Sequence, residues 1–125
     1  MVPVRKRDER VEVLLVTNNS GQRWVLPKGL VEAHLSAAES AAVEAYEEVG
    51  IQGSVSLPRI GTYQYEKWHG ACRVEVFLMR VDKELVAWPE QASRRRRWMP
   101  LDEARRVLDE RMPRTILDAA AQRCP

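Results

Sequence analysis

The stretch from Gly29 to Ile51, GLVEAHLSAAESAAVEAYEEVGI, constrains this chain more than any other. Within it Glu44, Glu47 and Glu48 stand at i, i+3 and i+4. On an α-helix those positions lie one above another on a single face. Like charges at that spacing repel, so the face opposes its own helix unless something cationic sits over it. No lysine or arginine occurs between Lys28 and Arg59, so the local sequence supplies no partner. A hard divalent cation held by oxygen ligands resolves the repulsion, and Mg²⁺ typically uses one or two carboxylates together with substrate phosphates. The alternative is a solvated acidic helix face, which charge runs of this kind often form.

The flanks define the helix. Ser36 followed by Glu39 is a capping box, so the spacing predicts a helix starting at Ala37. Gly50 follows the last periodic residue and suits the left-handed position that ends a helix. Ala38, Ala41, Ala42, Ala45 and Val49 form a narrow apolar stripe of mostly small side chains, which lets the helix lie close to a sheet. A loop beginning at Gly29 thus feeds a short helix that buries one face and presents carboxylates on the other.

These residues resemble the Nudix box, Gly-x5-Glu-x7-Arg-Glu-U-x-Glu-Glu-x-Gly-U with U aliphatic. Gly29, Glu44, Glu47, Glu48, Gly50 and Ile51 match in register over 23 residues. Leu35 stands where the pattern has its first glutamate, Val43 where it has arginine, and Ala45 where a larger aliphatic is usual. In the family that glutamate and arginine brace the loop against the helix. Replacing both members of an ion pair by apolar groups can be neutral or stabilising, whereas losing one is costly, so Leu35 and Val43 read as a hydrophobic substitute. The resemblance extends over roughly residues 4 to 121. WVLPKG and the late Trp-Pro-Glu…Arg-Arg-Trp…Glu-Ala run look like the diphosphoinositol polyphosphate phosphohydrolase branch.

A chain of 125 residues suits a single domain with a real core, here taken as residues 1–125. Hydrophobic residues at 45% and charged ones at 30% are ordinary for a globular protein, and no apolar run is long enough to span a membrane. The opening MVPVRKRDER lacks the apolar segment of a signal peptide. Cys72 and Cys124 are too few for a disulfide framework and read as thiols in a reducing cytoplasm.

Taken in order, 1–5 reads as a short strand, with a turn at Asp8 and Glu9. Residues 11–17, rich in β-branched side chains, read as a strand buried on both faces. Residues 24–26 form a brief strand ended by Pro27. After the helix come a weak strand between Gly53 and Pro58, an extended run from 60 to 68, a turn at His69-Gly70 and a strand from 73 to 81. Residues 82–93 read as a loop holding Trp88-Pro89-Glu90, and 94–99 as a strand. A helix follows through about Leu108 with Ala104, Val107 and Leu108 inward. A last one begins at Pro113 with Ile116, Leu117 and Ala120 inward. Strands on both sides of one helix, then terminal helices, indicate an α/β protein with a mixed sheet between helices. The Nudix resemblance implies the same, an α/β/α sandwich with a central mixed β-sheet.

Basic residues form the second feature. Arg94, Arg95, Arg96 and Arg97 run into Trp98, and on a strand Arg95 and Arg97 share one face while Arg94 and Arg96 share the other. Guanidinium groups match phosphate oxygens, but an arginine-rich edge also discourages strand pairing. A net charge of only +2 disfavours a dedicated nucleic-acid module. An acidic site beside a basic rim suits a small, highly phosphorylated substrate. Arg23, Lys28, Arg95 and Arg97 are the candidate phosphate contacts, with Lys28 foremost because it flanks Gly29, and the 5–7 cluster could join them. His34 reads as exposed, Tyr63 and Tyr65 as packing residues, and Glu66 and Glu75 as weaker candidates for the site.

The resemblance implies that Glu47 and Glu48 are metal ligands and that Glu44 is a ligand or helps deprotonate water. It implies that the Gly29 carbonyl completes the coordination and that the metal is Mg²⁺, with Mn²⁺ as the alternative. The expected activity is a metal-dependent pyrophosphohydrolase cleaving a phosphoanhydride in a diphosphoinositol polyphosphate or dinucleoside polyphosphate. Nucleoside triphosphates or 5′-triphosphorylated RNA are alternative substrates, and an inactive binding domain with the same fold is the alternative class. The sequence does not give the oligomeric state.

Overall fold

Alternation along one strand sets the architecture. In β2 (Arg10–Thr17), Val13, Leu14, Leu15 and Val16 are all fully buried. Successive side chains of a strand point to opposite faces. Val13 and Leu15 accordingly enter one core, and Leu14 and Val16 a second. Each such aliphatic contributes about 1.5–3 kcal/mol when withdrawn from water. A strand apolar on both faces has to lie inside a sheet that is covered on each side.

The computed structural model describes residues 1–28, 31–67, 70–108 and 114–124, without the side chains of 65–67 and 72. β1 (Val2–Arg7) turns at Asp8 and Glu9, whose φ angles are 50° and 65°, and pairs antiparallel with β2 from Val4↔Val13 to Arg7↔Arg10. β3 (Trp24–Val25) pairs with the end of β2. β4 (Ile51–Lys67) and β5 (Gly70–Glu84) form a long antiparallel pair, and β5 also runs parallel to β1 through Val2↔Leu78. β6 (Arg96–Pro100) pairs antiparallel with β2. The order is β3-β2-β1-β5-β4 with β6 also beside β2, a mixed sheet.

α1 (Ala37–Val49) covers one face, where Ala45 and Val49 meet Leu14, Val16, Ile51, Phe77 and Met79. α2 (Leu101–Val107) and α3 (Arg114–Arg123) cover the other, placing Ala104, Ile116, Leu117 and Ala120 against Val2, Val4, Val13, Leu15, Val76 and Leu78. Arg105 of α2 donates to Asp118 of α3 and ties the two helices. The result is the α/β/α arrangement expected from the sequence. Among the described residues, no helix is long and apolar enough to cross a membrane.

Several boundaries and the facing of one side chain differ from the sequence reading. The weak strand and the extended run before residue 68 are one strand, β4, with register shifts at Gln52/Gly53 and Ser56/Gly61. Gly53 permits the first shift, since a Cβ there would lie 2.0 Å from the Arg80 carbonyl oxygen. β5 continues to Glu84, because Lys83 and Glu84 still pair with Gln52 and Ile51. β6 begins at Arg96 rather than Arg94. Val107 is 37% exposed rather than inward, while Ala104 and Leu108 pack on the core. Cys124 is buried in the α2/α3 core, where burial raises its thiol pKa. The expectations for Trp68, His69 and Pro113, and for the side chains of Tyr65, Glu66 and Cys72, lie outside the described residues.

Candidate active site

α1 is built as its sequence dictates. The Ser36 hydroxyl accepts from the Glu39 amide at 3.1 Å, and the Glu39 carboxylate accepts from the Ser36 amide at 2.9 Å, which closes the capping box. Gly50 ends the helix at φ 70° and ψ 40°, donating its amide to the Tyr46 carbonyl. Between these caps the helix presents Glu44, Glu47 and Glu48 at its C-terminal end.

Glu48 is the most enclosed of the three, at 7% exposure. Its Oε2 accepts from the backbone amide of Lys28 at 2.9 Å, and its Oε1 accepts from Arg94 Nη2 at 3.0 Å. Arg94 also donates through Nε to Glu90 at 2.8 Å and through Nη1 to the Thr17 carbonyl at 2.9 Å. Burial nevertheless dominates and pushes the Glu48 carboxyl up to about 7, against the lowering by Arg94 and by the Lys28 amide. Glu44 is half-buried. Its carboxyl is raised first by burial, then by the charges of Glu47, Glu90 and Glu32, with Arg94 opposing. At Glu44 three neighbouring carboxylates thus oppose the one arginine.

That imbalance tests whether the residues suit a divalent cation. The donors are carboxylate oxygens, the chemistry a hard cation takes, and their mutual repulsion is what such a cation relieves. Among the described residues, no three His, Cys, Asp or Glu side chains already close around one point. Mg²⁺ takes only one or two carboxylates beside its waters, so the fit is carried by the chemistry of the donors and not by a closed cage. The residues fit.

Of the expected contacts, Lys28 lies at the site, its amide on Glu48 and its side chain exposed. Gly29 lies outside the described residues. Arg23 is exposed beside the Asn18 turn, with its amide donating to Asn18 Oδ1 at 3.3 Å. Arg94 and Arg95 precede β6, and for the two arginines on the strand the split is as expected. Arg96 pairs with Val16 of the α1 face and Arg97 with Leu15 of the α2/α3 face. That split places Arg97 in an ion pair with Glu103 of α2 at 3.2 Å rather than with the acidic turn. Arg95 reaches the Gly21 carbonyl at 3.4 Å and lies 5.8 Å from the Trp24 ring. Arg5 is committed to Glu12 at 2.7 Å and lies over Trp98, and Glu75 pairs with Arg59 at 3.2 Å. His34 is exposed, and Tyr63 packs on the α2/α3 core.

Arg94 and Glu90 escape the sequence reading. The sequence shows Arg94 only as a member of a basic run and Glu90 only as part of a loop. Their one available signal was the i, i+4 spacing of a glutamate and an arginine just before a strand. That spacing joins them to each other but does not lead to Glu48.

The arrangement matches known proteins. Residues 1–119 match the NUDIX domain. Nudix hydrolase 4 of Arabidopsis thaliana is 37% identical over 111 residues, 87% of this chain and 53% of that protein. Diphosphoinositol polyphosphate phosphohydrolase 3-alpha of Mus musculus is 30% identical over 112 residues, 86% of this chain and 66% of that protein. The chain spans between half and two thirds of the length of the curated relatives it matches. The crystal structure of C. elegans Ap4A hydrolase shares the fold with a TM-score of 0.77 at 22% identity, covering 94% of this chain and 89% of that one. Because the match runs from the first strand into the last helix, the likeness is to the whole fold rather than to the acidic stretch alone, and the chain belongs to the NUDIX domain family.

Proposed function

We propose that this chain is a metal-dependent pyrophosphohydrolase that cleaves a phosphoanhydride bond in a diphosphoinositol polyphosphate or a dinucleoside polyphosphate. One observation carries the reading. Glu44, Glu47 and Glu48 share the last turns of α1, and the Glu44 carboxyl is raised by burial and by the surrounding carboxylates. The likeness to a diphosphoinositol polyphosphate phosphohydrolase and to an Ap4A hydrolase supports the substrate class.

Glu47 and Glu48 would hold the metal, Mg²⁺ or Mn²⁺, with the Gly29 carbonyl, and Glu44 either joins them or takes the proton of the attacking water. When bound, the metal supplies countercharge to the phosphoryl oxygens and acidifies water. The chain's own part is to set the carboxylates. Arg94 and the Lys28 amide each hold one oxygen of Glu48, which fixes its orientation. The Lys28 side chain, starting beside that contact, is the foremost phosphate ligand. Arg23 and Arg95 are further candidates, and Arg97 would have to leave Glu103 to join them. The same reading takes residues 1–125 as one domain acting in the cytoplasm on a small phosphorylated substrate, without nucleic acid or membrane.

The test is hydrolysis of a panel of phosphorylated substrates with Mg²⁺ by the wild-type chain and by Glu47→Gln and Glu48→Gln. Both variants should fold and lose about 10²-fold or more in turnover, the scale of removing a group that stabilises developing charge. Near-wild-type hydrolysis by either one overturns the assignment.

A further inference from the structure

The C-terminal turn of α1 is fastened by one distant segment. A helix leaves its last carbonyls without intrahelical partners. Here the Glu47 carbonyl accepts from the Glu90 amide at 3.0 Å, and the Glu48 carbonyl accepts from Trp88 Nε1 at 2.9 Å. The Val49 carbonyl accepts from Arg96 Nη1 at 2.8 Å. The Gly50 carbonyl accepts from the Leu85 amide at 2.8 Å and from Arg96 Nη1 at 3.3 Å. Four consecutive carbonyls are thus held from residues 85–96.

The two side chains of this clamp support each other. The Arg96 guanidinium lies 4.1 Å from the Trp88 ring centroid, and its Nη2 donates to the Leu85 carbonyl at 2.6 Å. The Trp88 ring presses on Gly50 so closely that a Cβ there would come within 2.7 Å of it. Nothing in the last turn of α1 is basic, so the clamp supplies the positive end that the helix itself lacks. The turn it grips carries Glu47 and Glu48.

We infer that Trp88 and Arg96 are positioning residues: by gripping the backbone of 47–50 they set where the Glu47 and Glu48 carboxylates stand. Neither side chain contacts those carboxylates. They act through the main chain, and a small displacement at a reacting centre costs far more rate than binding. The inference rests on the reading of this turn as the phosphoanhydride-cleaving site.

The experiment uses the full chain with Mg²⁺ and diadenosine tetraphosphate or a diphosphoinositol polyphosphate, whichever the wild type turns over. Trp88→Phe keeps a ring over Gly50 and removes the Nε1 donor. Arg96→Ala removes the contacts to the Val49, Gly50 and Leu85 carbonyls, and Arg96→Lys restores one cation. Leu117→Ala, destabilising but on the opposite face, is the control for simple loss of stability. Trp88→Phe and Arg96→Ala should lower kcat about tenfold or more with KM within about twofold, and Arg96→Lys should recover part of it. Amide exchange without substrate should quicken at 47–50 in both variants, and not in Leu117→Ala. Wild-type kcat in Trp88→Phe and Arg96→Ala, or losses no larger than those of Leu117→Ala, overturns the inference. If Glu48→Gln keeps its activity, the proposed site has failed instead. The exchange measurement then still reports on the clamp by itself, and unchanged exchange at 47–50 overturns that too.

Discussion

Arg94 and Glu48 meet at 3.0 Å with both side chains 9% exposed, and the pair spans 46 residues of sequence. The arginine does not cancel the site's negative charge, because it is shared with Glu90. It fixes one carboxylate and leaves Glu44 and Glu47 facing like charge.

Removing Arg94 strands a buried anion. Arg94→Ala should destabilise the fold by about 3–5 kcal/mol near pH 8, the usual result of deleting one partner of a buried pair. The deficit should shrink at pH 5, where Glu48 is protonated. Denaturant melts at the two pH values read the difference, and an equal deficit at both would place the effect elsewhere.

Glu48 holds its proton more tightly folded than unfolded, its pKa rising from 4.5 to about 7 through burial. Between those values the native state carries more bound proton, so stability declines as pH rises. This contribution is complete below 4.5 and lost once pH passes 7. Thermal midpoints should fall across that window, and Glu48→Gln should flatten the fall. A slope unchanged in Glu48→Gln would assign it to another group.

The imbalance around Glu44 predicts a response to metal alone. Mg²⁺ at tenfold over its Kd should stabilise the chain by about 1.4 kcal/mol, the shift expected of a ligand that binds the folded state alone. Glu44→Gln with Glu47→Gln should abolish the shift and, by relieving the repulsion, raise the metal-free midpoint somewhat. Melts with and without Mg²⁺ decide this without any substrate.

Gly50 is constrained twice, by φ of 70° and by the Trp88 ring. Gly50→Ala should lose about 1–3 kcal/mol, combining a left-handed residue that now bears a Cβ with local overpacking. An effect near zero in urea unfolding would mean that the ring gives way.

The terminal helices offer a matched contrast. Leu117 is 1% exposed and Leu117→Ala should lose about 2–5 kcal/mol, whereas Val107, 37% exposed, should tolerate alanine within about 0.5 kcal/mol. Equal costs would contradict the packing of α2.

Local chemistry was readable from the residues themselves. Ser36 and Glu39 announce the start of α1, Gly50 its end, and the unbroken aliphatics of 13–16 a strand buried on both sides. Each of those signals is complete within a few positions. Val107 departs from the expected facing because a seven-residue helix has too few turns to define its apolar side. β4 looks divided in the sequence because Gly53 and Pro58 resemble breakers, although β5 carries the pairing past both. For the site, the glutamates were legible and their surroundings were not. Arg94, Glu90, Trp88 and Arg96 reach Glu48 and its neighbours across about forty residues or more, and no periodicity encodes that distance. Lys28 stands out in the sequence for its side chain, and its hydrogen bond to Glu48 is made by its amide.

The fastening of 47–50 by 85–96 also bears on the order of assembly. The acidic helix can form early from its own caps, but the carbonyls of its last turn meet their partners from 85–96 only once the hairpin that follows has closed and the chain has returned beside β2. A nascent chain halted before residue 85 would therefore display the glutamates without the frame that orients them. Competence to bind would then arrive as one of the final events of folding.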